Sequence, residues 1–245
     1  MTATAEPQRR PKPAYRRRCF SPRSKKRDSR NHKRDKVDDY VRLEPSELVA
    51  DRPFTHPERR VEDVAILQQM ADRLRLVLHQ SSGSLAQSRA FALELDEAGG
   101  RSQRVIVNHR EALLASDDLT AVGFFGMKRP GTNAAVLTEV DAELISEFPL
   151  HPGILSYSSL ELADGNWGNL VLLNSPEARE HWRTSERHLH AVRELAPGHY
   201  LTIRLHNAVL PGGLMSGRAL ALQRTKYYDF QSPAAWQAVR EFYTA

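Results

Sequence analysis

The residues with the most chemistry per position lie between Asn174 and Val192, "NSPEAREHWRTSERHLHAV", which holds three of the ten histidines and one of the three tryptophans. Ser175 followed by Pro176 predicts a helix start: a serine hydroxyl can take a free backbone N–H, and proline needs none at the first helical position. "APG" ends that helix around Pro197. At about 100° per residue, Ala178, Trp182, Ser185, Leu189 and Val192 fall on one stripe, which is expected to be buried. His181 and His188 share a flank of the stripe, and His190 points to solvent. Two imidazoles at the edge of a helix that packs on a sheet are placed to line a cavity between the two. Imidazole titrates near neutrality and can act as a general base. His188 is the first candidate for that role and His181 its neighbour; the plainer reading of His188 is a boundary histidine hydrogen-bonded to backbone.

Metal and phosphate chemistry find less support. The single cysteine, Cys19, allows no intrachain disulfide and no cysteine-based zinc site. His188 and His190 point to different helix faces and have no carboxylate at ligand spacing. "LPGGLMSG", 210–217, lacks the Lys-Ser/Thr and the strand-to-helix context of a phosphate loop. H-E-x-x-H and G-x-S-x-G do not occur.

The surrounding elements follow from apolar spacing. Val61, Val64, Ile66, Leu67, Met70, Leu74, Val77 and Leu78 recur at helical intervals over 61–79, and "SSGS" stops the helix. Strands are predicted over 89–95 and 104–114, joined at "EAGGRS". Leu119–Lys128 reads as a strand, and Ala134–Phe148 as a helix capped by Thr132 or Asn133. Residues 153–162 and 166–173 read as a hairpin turning at "ADG", and His199–Leu210 alternates as a strand, with Arg204 and His206 sharing a face as candidate ligand contacts. A strand over 218–230 and a short helix from Pro233 to Tyr243 complete the chain. Residues 119–210 thus read β-α-β-β-α-β, the ferredoxin-like arrangement. The pieces on either side make nearly a second such unit, so two sheets could face each other as an α+β barrel within one chain; a homodimer would close the same barrel.

That order, with Ser175, Glu177, Ala178, Trp182, Ser185 and His188 on the second helix, resembles the antibiotic-biosynthesis-monooxygenase-type domains of the dimeric α/β-barrel superfamily. The resemblance covers 119–210. It implies a pocket between helices and sheet in which oxygen chemistry acts on a small aromatic, quinol or polycyclic substrate, commonly without metal or flavin. Cofactor-free oxygenation needs a base and a dry pocket, so His188 and His181 would be catalytic. Trp182, Tyr157, Trp167, Asn169, Arg204 and His206 would contact substrate. A haem-degrading branch places its ligand histidine ten residues after the tryptophan, where this chain has Val192, which argues against haem held in that way. The alternatives are a non-catalytic ligand-binding or assembly protein and, further, a haem-binding or haem-degrading protein.

Charge divides the chain. Residues 1–40 hold 14 Lys/Arg against 5 Asp/Glu, while the remaining 205 hold 21 against 25. The basic segment has few apolar residues and several prolines, which predicts disorder; it could meet nucleic acid or another anionic surface. No apolar run reaches the roughly 18–20 residues of a membrane helix, and the basic start lacks the apolar stretch of a secretory signal. The cytoplasm is the expected compartment. The resulting expectation is an α+β protein: tail and lead-in at 1–52, helix and two strands at 53–118, a ferredoxin-like domain at 119–211, and a strand and helix at 212–245.

Overall fold

One sheet takes in strands from every segment beyond the basic tail. The structure, a computed structural model, describes residues 40–80, 87–96, 101–232 and 234–242. The segment 1–39, for which disorder is expected, and the "SSGS" turn lie outside those residues. In chain order the strands are β1 (Val41–Leu43), β2 (Phe91–Asp96), β3 (Ser102–Val107), β4 (Leu119–Lys128), β5 (Ile154–Glu161), β6 (Trp167–Leu173), β7 (Tyr200–Leu210), β8 (Ala221–Asp229) and β9 (Trp236–Glu241). The helices are α1 (Pro57–Gln80), α2 (Arg110–Ala115), α3 (Ala134–Ser146), α4 (Pro176–Arg183), α5 (Glu186–His190) and α6 (Ala196–His199), with a π-helical turn, Ala191–Leu195, between the last two. The sheet order is β1-β9-β8-β7-β4-β6-β5-β3-β2, with β1 parallel to β9 and every other pair antiparallel.

Alternation along each strand divides the side chains between two faces. Leu119, Ala121, Gly123 and Phe125 of β4 register with Leu210, Ala208, His206 and Arg204 of β7. This face lies beneath α1, whose Leu67, Met70, Leu74 and Leu78 are buried in the main core cluster. Each such side chain contributes roughly 1.5–3 kcal/mol by its burial. The close approach depends on Gly123: a Cβ there would stand 2.3 Å from Leu67 Cδ1. On the other face, Val122, Val171, Tyr157 and Ile106 pack with Ile145, Phe148, Ala178 and Trp182, contributed by α3, the turn after it and α4.

Four expectations are corrected. The flanking strands do not make a second sheet. β3 and β2 continue the sheet beyond β5, and β8, β9 and β1 continue it beyond β7. α1 lies where a facing sheet would pack, so neither a pseudo-dimer nor a second copy closes a barrel over that face. The C-terminal segment expected to be a helix is β9, because Trp236, Ala238 and Arg240 alternate in register with Asp229, Tyr227 and Thr225 of β8. Tertiary pairing overrides the helical spacing of Trp236, Val239 and Phe242 there. The strand predicted over 104–114 ends at Val107. The Asn108 side chain then donates to the Phe148 and Ile154 carbonyls, and "REALLA" coils as α2. Finally, the helix after Ser175 is broken at Thr184. Ser185 caps a second start by accepting from the His188 N–H, so the phase resets and Val192 is 49% exposed rather than buried.

Candidate functional site

The sequence-derived candidates are placed on opposite faces of the sheet. Tyr157, Trp167, Asn169, Trp182, His181 and His188 are on the side of α3, α4 and α5; Arg204 and His206 are beneath α1.

On the α4 side the rings form a chain. Phe148 meets Tyr157 at 5.8 Å and Trp182 at 5.6 Å between centroids; Trp182 meets His151 at 4.9 Å and His188 at 5.4 Å; His151 meets His181 at 5.0 Å. Local features set this geometry. Ser175 caps α4, whose first turn sits so tightly on Gly153 that a Cβ there would stand 2.4 Å from Ala178 Cβ. Arg179 donates to Asn207 Oδ1 at 3.2 Å and ties α4 to β7. The second cap at Ser185 then turns His188 back toward Trp182. His151 is a residue that sequence reasoning missed. It lies in the short connection before β5, with no periodic pattern to mark it.

Three polar atoms of this cluster are buried without a hydrogen-bond partner: His151 Nδ1, His188 Nδ1 and Glu147 Oε2. Burial pulls the His188 pKa down to about 4, helped by Arg183 and His151 and opposed by Glu147. Burial and His181 lower that of His151, against Glu147. His188 is therefore neutral at pH 7, which corrects the expectation of an imidazole titrating near neutrality. His181 is solvent-exposed, and His190 pairs with Glu194 at 3.0 Å on the outside. Among the described residues, no group of three or more His, Cys, Asp or Glu side chains is placed to hold a metal ion.

The other expected contacts have different surroundings. The Tyr157 hydroxyl donates to Asp141 Oδ1 at 2.6 Å, and Asp141 also accepts from Arg104, so this tyrosine fastens β5 to α3. Burial and Asp141 hold its pKa well above the usual tyrosine value. Asn169 is half-buried beside Phe124 and Ser159. Trp167, at the strand end, is 37% exposed. A shallow apolar groove runs between β3 and α3, lined by Phe91, Ile106, Asn108, Ile145, Phe148 and Pro149, and reaches the ring cluster at Phe148.

Beneath α1, Arg204 donates twice to Asp63, at 2.5 and 2.8 Å, and His206 Nε2 lies 2.8 Å from Asp63 Oδ2. His206 Nδ1 lies 2.9 Å from Thr225 Oγ1. Burial pushes the Asp63 pKa up, but the bonds from Arg204 and His206 outweigh it and hold the carboxyl below its ordinary value. The Thr–His–Asp order has the connectivity of a nucleophile, base and orienting acid. Yet Thr225 and His206 are fully buried, so no substrate reaches them and the network serves to anchor α1. Asp63 and Thr225 were not anticipated. The readable signal was a carboxylate at helical spacing from Leu67, Met70 and Leu74; Val61, counted on the apolar face, is 62% exposed.

No family model matches this chain, and no curated protein does. Among solved structures, the crystal structure of protein SO0527 from Shewanella oneidensis is similar over 39% of this chain and 92% of its own, with 13% identity and a TM-score of 0.35. A likeness that weak carries no argument about fold or function. The structure therefore defines the class only coarsely: a mixed α and β protein with a nine-stranded sheet covered on both faces. Among its described residues, no helix is long and apolar enough to cross a membrane.

Proposed function

We propose that residues 119–211 are a ferredoxin-like unit, akin to antibiotic-biosynthesis-monooxygenase-type domains, and that the protein binds a small hydroxylated aromatic molecule, a quinol or polyphenol, at the Trp182 cluster. The first part is supported by the all-antiparallel order β7-β4-β6-β5, with α3 between β4 and β5 and the α4–α6 segment between β6 and β7. The second rests on one observation: His151 and His188 each hold a buried, unpartnered Nδ1 against the same indole. Burying such groups without partners costs about 1–3 kcal/mol each. A hydroxyl both donates and accepts, so it can satisfy either tautomer of a neutral imidazole. An aromatic ring extends the edge-to-face stack already built from Phe148, Trp182 and the imidazoles.

Binding, rather than oxygenation, is the reading these groups favour. An imidazole with a pKa of about 4 is a weak base for a phenol whose pKa is near 10. Nor does the reading include haem, since Val192, exposed and without a ligating atom, holds the position of the haem-degrading branch's histidine. The test is calorimetric titration with catechol and 1,5-dihydroxynaphthalene, with naphthalene as the control lacking hydroxyls. The reading expects saturable binding of the hydroxylated compounds, weakened about tenfold or more in His188→Phe, which keeps a ring against Trp182 but has no nitrogen. Equal binding of naphthalene, or equal affinity in the variant, refutes it. Consumption of dissolved oxygen with the bound compound would return the assignment to the oxygenase class.

A further inference from the structure

The groove between β3 and α3 is separate from the seat at Trp182 but shares a wall with it. Phe91, Ile106, Val107, Ile145, Phe148 and Pro149 line about 310 Å³ there, the lower end of the roughly 300–1,000 Å³ of small-molecule sites. That volume suits a short chain better than a second ring system. Its mouth is open: Ala90 and Pro149 are exposed, and Phe91, Ile106 and Ile145 are only half-buried. The polar residue of the lining is Asn108, whose amide nitrogen already donates to the Phe148 and Ile154 carbonyls, at 3.1 and 2.9 Å. The lining side chains therefore offer no free hydrogen-bond donor, and a polar group placed among them would exchange water for nothing. An apolar group gains by leaving water.

The groove continues into the ring cluster. Ile106, Ile145 and Phe148 belong to the same apolar cluster as Trp182, and Phe148 meets the indole edge-on at 5.6 Å between centroids. The indole in turn meets His151 at 4.9 Å and His188 at 5.4 Å. Phe148 is 4% exposed and serves as fixed wall, whereas Trp182 and His188 are half-buried and open to a ligand. One ring's width thus separates the two seats. Phe91 and Ile106 come from β2 and β3, which extend the sheet beyond β5. The groove is therefore built by strands outside the central four, β4–β7.

We propose that this groove holds an apolar substituent of the ligand seated at Trp182, so that the ligand is a hydroxylated aromatic carrying a short alkyl or alkenyl chain. The assignment rests on the ring-cluster reading above and narrows it. The hydroxyl end meets the imidazole nitrogens, and the chain passes along Phe148 to lie against Ile106 and Ile145. Full burial of a methylene tightens binding by a factor of about four. A four-carbon chain left half-covered in an open groove should therefore gain about tenfold.

The test compares catechol with 4-butylcatechol by calorimetric titration of the full chain, and the readout is the ratio of their affinities within each protein. Damage that affects both ligands cancels in that ratio. Wild type should bind 4-butylcatechol about tenfold more tightly than catechol. Ile106→Phe, which fills the groove, should bring the ratio near one. Ile106→Thr, which keeps the branched shape and adds a hydroxyl, should lower it by a smaller factor and serves if the larger side chain prevents folding. His188→Phe should weaken both ligands and leave the ratio unchanged. Catechol bound with 4-butylcatechol no tighter, or a ratio unmoved in the Ile106 variants, overturns the groove assignment while the Trp182 reading stands. Absence of binding by both compounds refutes the Trp182 reading and this one with it.

Discussion

Replacing His188 by phenylalanine should flatten the acid limb of the stability curve while leaving neutral stability nearly intact. The folded protein holds this imidazole at about 4, against an ordinary value of 6.5. The unfolded chain thus binds the extra proton between those pH values, and stability falls as pH falls through that window. The full difference corresponds to about 3 kcal/mol at roughly 1.4 kcal/mol per unit, and about 2 kcal/mol is already lost between pH 7.5 and 5. With a urea slope near 2 kcal/mol/M, the midpoint should drop by about 1 M over that range. His151 is shifted in the same direction, so the single variant keeps part of the slope and the His151→Phe/His188→Phe double variant should keep least. Asp63 acts elsewhere: its lowered pKa contributes stability that is lost only below the ordinary carboxylate value near 4. The assay is urea denaturation from pH 7.5 to 4.5 at fixed ionic strength, followed by tryptophan fluorescence. If His188→Phe loses as much midpoint as wild type across pH 7.5 to 5, burial of His188 is not the source of the slope and its inferred neutrality is wrong.

Three further outcomes follow from the packing. Asp63→Asn removes the charge that compensates Arg204 and His206 beneath α1; thermal or urea melting should show a loss of about 3–5 kcal/mol. Gly123→Ala pushes a methyl into Leu67 and should cost about 1–3 kcal/mol, with part of the loss recovered in the Gly123→Ala/Leu67→Ala pair relative to additivity. Ser185→Ala removes the second cap and should cost about 0.5–2 kcal/mol; it should also weaken ligand affinity at the Trp182 cluster, because α5 no longer fixes His188.

How much of this was legible depends on where local pattern and tertiary context agree. The elements β4 to β7 and α3 were readable because their alternation or helical spacing is strict and their ends carry Pro, Gly or a capping Asn. β9 was misread because six residues compatible with either period were decided by pairing between β8 and β1, which no local pattern records. The break at Thr184 was hidden because Ser185 fits the helical stripe as well as it fits a cap. His181, Trp182 and His188 do lie around one ring cluster, but not through the continuous helix expected: the cap at Ser185 turns His188 back toward Trp182, and His151 links Trp182 to His181. His151 comes to them from a loop, and Asp63 comes to Arg204 and His206 from 141 and 143 residues away, distances over which no spacing rule reaches.

The most direct test of the account is the 15N spectrum of the imidazoles of His151 and His188 at pH 7, with and without 1,5-dihydroxynaphthalene. The account predicts two neutral rings, each with an Nδ1 resonance that moves on saturation because it gains a hydrogen-bond partner, while His206 stays fixed. A protonated His188 in the free protein, or resonances of both rings that do not move at saturating ligand, would contradict it.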